Sequence, residues 1–118
     1  MATRTQNEFV REVMGKLGAL GAGQTPTAED DQLVKARLSD VIEQLEDDDL
    51  ITFDIADGIP GKVFIPLAYL VSVHLIDHFS AQSQAQTIFT GAQWGEKQLR
   101  RQRQDGKYES SKATPDYF

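Results

Sequence analysis

The sequence predicts a small, mainly α protein in which four helices form a bundle, a short β-hairpin separates helices two and three, and an extended segment follows the fourth helix. Apolar residues recur every three or four positions in four segments, which is the period of a helix buried on one face. Turns rich in glycine, proline or polar residues separate these segments. A chain of 118 residues, 40% of them hydrophobic, suits one domain with a modest core.

The first helix is predicted over residues 6–20. Thr5 and Glu8 have the spacing of a capping box, in which the side chain of each residue accepts a hydrogen bond from the backbone N–H of the other. Apolar side chains then follow at helical spacing. Gly21 and Gly23 can adopt the positive φ that ends a helix, so we expect them to close this element.

The second helix is predicted over residues 26–47. Thr25 is its expected cap, and Pro26 suits the first turn because a missing N–H does no harm there. Acidic residues follow, where the positive end of the helix dipole favours them. Four carboxylates at 46–49 would lie at the opposite end of the dipole and repel one another, so the helix should stop there.

A hairpin is predicted next. Ile51, Phe53 and Ile55 alternate with polar residues, which is the period of a strand exposed on one face. The turn at 57–61 then leads to a second apolar run at 62–65. Two isolated strands are barely stable in water, so this arm should lie on the helices or pair with another subunit.

The third helix is predicted over residues 66–79, with Pro66 in its first turn because an interior proline removes a backbone hydrogen bond. Apolar residues cover almost its whole circumference, which indicates the central core element. The fourth helix starts near Ala85 and ends in cations, which suit a helix carboxyl end, before Asp105 and Gly106. The domain therefore covers residues 1–105, including a hairpin arm at 50–65, and an extended segment covers 106–118.

Charge and composition narrow the functional classes. The net charge is −6, with acids concentrated at 29–57 and cations at 97–112. A general DNA-binding protein needs a surplus of cations on one surface, so net charge argues against that class. The absence of cysteine excludes disulfides. The longest apolar run, 63–76, is too short and interrupted to cross a bilayer, so we expect a soluble protein without a membrane partner.

No residue pattern indicates catalysis. His74 and His78 have the i, i+4 spacing that puts two imidazoles on one helix face. The pair lacks the glutamate of the zinc-protease motif, however, and the sequence has no third histidine. A small metalloenzyme that uses these two histidines is a second alternative. The carboxylates at 46–49 look like a solvated cluster, and no phosphate-binding loop is present. We therefore expect no catalytic residue, no cofactor and no metal.

The junction at residues 17–30 reads Leu-Gly-Ala-Leu-Gly-Ala-Gly-Gln-Thr-Pro-Thr-Ala-Glu-Asp and joins two amphipathic helices. With the aromatic run at 114–118, it resembles the head-to-tail adaptors of tailed phages, also called head-completion or packaged-DNA-stabilisation proteins. The resemblance implies a structural virion protein, made in the host cytoplasm. It would form a ring of about twelve copies between portal and tail, close the packaged head and continue the DNA channel. Its partners would be the portal, the tail or nozzle proteins, and DNA that passes without sequence recognition.

Two groups of residues are expected to make the contacts of such a ring. Aromatic side chains on a flexible segment bind a pocket at moderate ordering cost, and adaptor carboxyl termini are known as a class to reach the portal. Opposite charges on the two charged segments could meet between neighbouring copies. The expected docking residues, for portal or neighbour, are Tyr108, Pro115, Tyr117 and Phe118. The expected inter-subunit charge contacts are Asp47, Asp48, Asp49, Arg100, Arg101 and Arg103.

The alternative is a small helical nucleic-acid-binding protein. In it, the first two helices would act as a helix-turn-helix, and Arg100, Arg101 and Arg103 would contact phosphate. Salt-dependent binding to DNA separates this alternative from the adaptor, for which such binding should be negligible.

Overall fold

Within the part of the chain that the structure describes, the fold is built from four α-helices and one pair of short strands. A computed structural model describes residues 3–21, 23–51 and 53–112. In chain order the elements are strand β1 (Thr3–Arg4), helices α1 (Gln6–Lys16) and α2 (Ala28–Asp47), strand β2 (Ile59–Pro60), and helices α3 (Gly61–Val73) and α4 (Ala85–Lys112). The predicted mainly α class with four helices is therefore confirmed.

The start of α1 is the predicted capping box. The Oγ1 of Thr5 accepts a hydrogen bond from the Glu8 backbone at 3.1 Å, and the Thr5 backbone N–H donates to the Glu8 carboxylate at 3.2 Å. Arg4 also donates to this carboxylate at 2.8 Å. The hydrogen bond from Arg4, followed by that from the Thr5 backbone, holds the pKa of Glu8 below its ordinary value of 4.5.

The end of α1 comes earlier than predicted. Gly18, at φ 70°, and not Gly21, turns the chain. The Gly18 and Ala19 N–H groups bond to the carbonyls of Gly15 and Met14, at 3.1 and 2.9 Å, which is the double hydrogen bond of a Schellman motif. Several glycines here are locally able to end a helix, and the first of them does so.

The observed bounds of α2 agree with the predicted ones at the carboxyl end but not at the amino end. Thr27, and not Thr25, is the cap, since its Oγ1 accepts from the Asp30 backbone at 3.2 Å. Pro26 therefore lies before the cap. The carboxyl end at Asp47 agrees with the prediction. It is closed by a second Schellman motif, in which Asp49 takes a left-handed φ of 59°.

A short antiparallel strand pair is present, as predicted, but the prediction that both of its strands lie within 50–65 is wrong. β2 pairs with β1 at the start of the chain, with Thr3 opposite Pro60 and Arg4 opposite Ile59. Residues Ile55–Asp57 form one turn of 3₁₀ helix, and the run at 62–65 belongs to α3. The helical spacing of apolar residues in α3 simply continues back through that run.

The predicted bounds of α3 are wrong at both ends. α3 begins at Gly61, so Pro66 lies inside it, and irregular turns replace the helix after Val73. A proline at this position leaves the carbonyl of Lys62 without its usual intrahelical donor. The side chain of Gln102, on α4, donates to that carbonyl at 2.9 Å. A residue distant in sequence thus compensates for the interior proline.

α4 is longer than predicted. It passes through Asp105 and Gly106 and continues to Lys112, so the extended segment predicted from residue 106 is helical over 106–112. An interior glycine costs only about 1 kcal/mol in a helix, which need not end it. Residues 113–118 lie outside the described part of the chain.

α3 is the central core element, as predicted, and it packs against each of the other three helices. Phe64 of α3 meets Phe9 of α1 edge to face, with ring centroids 5.6 Å apart. Arg4 lies over the Phe64 ring at 4.5 Å, so the first strand also covers this contact. The largest fully buried side chains include Phe9, Met14, Leu38, Ile59, Phe64, Leu67, Leu75, Ile88 and Leu99.

Candidate interaction surfaces

The first candidate surface lies where the acidic end of α2 meets the basic part of α4. The Nη2 of Arg103 lies 2.7 Å from Oδ2 of Asp49, and its Nε donates to the Asp49 backbone carbonyl at 2.9 Å. One guanidinium therefore holds both the side chain and the backbone of the residue that ends α2. This pairing occurs inside one chain, whereas charge contacts between copies were expected for both residues.

The other predicted charge contacts remain on the surface. Arg100 pairs with Glu96 one turn earlier on α4, with Nη2 and Oε1 2.9 Å apart. Arg101, Asp47 and Asp48 are exposed. The structure thus brings together one of the predicted acidic residues and one of the predicted basic residues, and it leaves these three on the outside.

Most of the predicted docking residues lie outside the part of the chain that the structure describes. The backbone of Tyr108 belongs to α4. Pro115, Tyr117 and Phe118 lie outside the described residues. Their predicted contacts therefore remain predictions.

The second candidate surface is a groove between α3 and α4, which the sequence analysis missed. Gly91 lies against the ring of Tyr69, where a Cβ on this glycine would overlap the ring. Four residues on, a Cβ on Gly95 would lie 2.7 Å from the Pro66 carbonyl oxygen. Two small residues four apart let two helix backbones approach closely, and this spacing was the available signal.

The groove is lined mainly by apolar and aromatic atoms and has a volume of about 620 Å³. Tyr69 and Trp94 meet edge to face, with ring centroids 6.1 Å apart. Trp94 is 44% exposed, and Ile65, on the opposite wall, is 37% exposed. Clefts of about 300–1,000 Å³ with such linings commonly hold ligands or partner side chains. The remaining lining residues are Gln86, Thr87, Thr90 and Gly91.

The histidine pair lies on the irregular turns after α3. His74 and His78 are both exposed, and the ring of His78 packs edge to face on Phe79 at 5.0 Å. Among the side chains that the structure describes, no three from histidine, cysteine or acidic residues cluster as a metal site requires.

The geometry of the first two helices does not favour the helix-turn-helix alternative. Their connection, residues 17–27, is eleven residues long, whereas a helix-turn-helix has a turn of about three to four residues. Cations on both helices also pair with neighbouring acids, such as Lys16 with Glu12 at 3.0 Å and Lys35 with Asp31 at 3.0 Å. These cations already have anionic partners within the chain.

Comparison with models of protein families, with curated proteins and with solved structures gave no match. Among the helices that the structure describes, none has the length and apolar character needed to span a membrane.

Proposed function

We propose that the protein is a structural head-to-tail adaptor of a tailed phage. The junction at 17–30, on which the family resemblance rests, carries the proposal. In the structure Gly18 closes the end of α1 and Thr27 caps α2, so the junction joins two helices that pack on each other. About twelve copies would form a ring between portal and tail, close the head after packaging and continue the DNA channel.

The exposed charges fit a wall around DNA. Asp47 and Asp48 lie exposed at the end of α2, where their repulsion of phosphate would let DNA slide through the ring without sequence recognition. Arg101 is exposed on α4 and is available to an acidic residue of the next copy. Arg103 instead holds Asp49 of its own chain and so stiffens each copy.

The carboxyl-terminal aromatic residues would make the contacts beyond the helical body. α4 runs for 28 residues, which is about 42 Å, and so carries residues 113–118 away from its own start. In the proposed ring these residues dock on the portal or on a neighbouring copy, and tail or nozzle proteins bind the opposite side. The proposal includes no catalysis, cofactor or metal, and it places the protein in the virion.

Retention of packaged DNA tests this proposal. DNA-filled heads that carry the portal but lack the adaptor should lose their DNA to added nuclease. Addition of the purified protein should protect the DNA, and the protein should sediment with the heads. Unprotected DNA and unbound protein would refute the proposal. A parallel titration of duplex DNA at 50 and 200 mM salt addresses the alternative, because tight binding that weakens steeply with salt would indicate a nucleic-acid-binding protein.

A further inference from the structure

We infer that the groove between α3 and α4 receives the aromatic segment 113–118 of a second copy of this chain. The inference takes its biological setting from the proposed ring and names one of the contacts that would build it. Trp94 and Ile65 are 44% and 37% exposed on facing walls of the groove, so a partner side chain seated there would cover apolar surface of both. The groove is uncharged along its lining, so a segment whose anchors are aromatic suits it better than a charged helix face.

The chemistry of the segment matches the groove. It reads Ala-Thr-Pro-Asp-Tyr-Phe and contains two adjacent aromatic residues. Trp94 offers its exposed ring to them, and edge-to-face packing favours an aromatic pair beyond the area it buries. One face of Tyr69 is already covered by the Lys16 ammonium, 4.0 Å from the ring centroid. Gln86 and Thr90 lie along one wall, with a 3.4 Å hydrogen bond between their side chains, and can bond instead to the backbone of a bound segment.

The segment cannot lie along the groove of its own chain. Trp94, the groove residue farthest along α4, lies 18 residues before Lys112, which is about 27 Å of helix. The six residues from Lys112 to Phe118 span at most about 20–22 Å even when fully extended. Thr87 lies about 10 Å farther from the helix end than Trp94 does. As long as α4 is helical to Lys112, only the ring of Phe118 can approach the near edge of its own groove, so another copy is needed to place both aromatic residues along it.

Such a contact joins two different surfaces, since each copy offers one segment and one groove. Head-to-tail contacts of this kind close into rings or continue as filaments, whereas a contact of groove with groove would stop at a dimer. The inferred contact is therefore of the type that a ring requires.

The chain contains a single tryptophan, and it lies in the groove, so its emission reports directly on occupancy. The test uses the full-length double variant Tyr117→Ala, Phe118→Ala, whose segment lacks both anchors. A synthetic peptide of residues 107–118 is titrated into it. We expect a saturable blue shift of tryptophan emission as the ring leaves water. Emission that shows no saturable change up to millimolar peptide would overturn the inference.

A matched pair of variants in the same background locates the binding. Thr90 and Gln93 are both exposed on α4, but only Thr90 lines the groove. Thr90→Arg should weaken peptide binding at least about tenfold, because the long arginine side chain stacks on the aromatic rings of the groove and occupies the space that the segment needs. Gln93→Arg adds the same charge and should bind as the parent does. Equal binding by the two variants would place the peptide elsewhere and overturn the inference.

Complementation tests the direction of the contact. The double variant keeps its groove, and the single variant Thr90→Arg keeps its segment. Neither should self-associate, and an equimolar mixture should give a dimer of one copy of each, measured by light scattering after gel filtration. Self-association of the double variant alone, to the extent of the wild type, would show that association does not need the segment and would overturn the inference. These assays need no phage head. Peptide binding together with unprotected head DNA would refute only the proposed function. Protected head DNA without peptide binding would refute only this inference.

Discussion

Gly95 sets the distance between α3 and α4, and its replacement by alanine should destabilise the protein. A Cβ at this position would lie 2.7 Å from the Pro66 carbonyl oxygen, 3.1 Å from its Cα and 3.3 Å from its carbonyl carbon. All three are backbone atoms, which cannot rotate away as a side chain could. The two helices must therefore separate along the contact that also forms the wall of the groove.

The expected magnitude follows from two opposing effects. Overpacking a close contact costs about 1–3 kcal/mol, and the rigid backbone neighbours place Gly95→Ala in the upper half of that range. Alanine regains about 1 kcal/mol over glycine in a helix interior. The free energy of unfolding should therefore fall by about 1–2 kcal/mol, which lowers Tm by about 4 °C or more at this chain length.

Gly15→Ala is the matched control. Gly15 lies in α1, and nothing lies within 4 Å of the position its Cβ would take. The same chemical change should there raise the free energy of unfolding by up to about 1 kcal/mol. Urea unfolding followed by circular dichroism at 222 nm measures both variants. A Gly95→Ala variant as stable as the wild type or Gly15→Ala would refute the close packing of α3 on α4.

Substitutions at three further residues test single contacts. Gln102→Ala removes the donor to the Lys62 carbonyl and should lower the free energy of unfolding by about 0.5–1.5 kcal/mol in urea, with no change expected if the bond is absent in solution. Asp49→Ala should be less stable than Asp49→Gly by about 1 kcal/mol. Both variants lose the contact of the carboxylate with Arg103, but only glycine adopts the left-handed φ without strain. Equal stabilities would contradict that conformation. Because the pKa of Glu8 is lowered in the folded protein, its carboxylate stabilises the fold fully above about pH 4.5, and this stabilisation is lost as pH falls through the lowered pKa. Glu8→Gln should therefore flatten the fall in Tm below pH 4.5. An unchanged pH profile would contradict the contact.

Local signals in the sequence were sufficient for much of the fold. The capping box of Thr5 and Glu8, and the end of α2 at Asp47, follow from residues within one turn of each other. The central position of α3 follows from its apolar circumference. Each of these features depends on neighbours in sequence, and so the sequence alone could predict it.

The errors came from contacts between residues far apart in sequence. Pro66 lies inside α3 because Gln102, on another helix, satisfies the carbonyl that the proline leaves free. β2 pairs with a strand at the start of the chain and not with its neighbour in sequence. Where several local solutions competed, as among the glycines after α1, sequence could not rank Gly18 above Gly21.

For the candidate surfaces too, the sequence predicted local features but not contacts between distant residues. The sequence indicated two oppositely charged segments, but it could not indicate that Arg103 meets Asp49 of its own chain, 54 residues earlier. The groove needs α3 and α4 side by side, and neither the position of Trp94 nor that of Ile65 predicts this alone. The spacing of Gly91 and Gly95 was the one local sign of the close approach.

Electron cryomicroscopy of DNA-filled, portal-bearing heads incubated with the purified protein tests the central claim most directly. The proposed function predicts a ring of about twelve copies at the portal vertex, coaxial with the DNA channel. A vertex identical with and without the protein would contradict it.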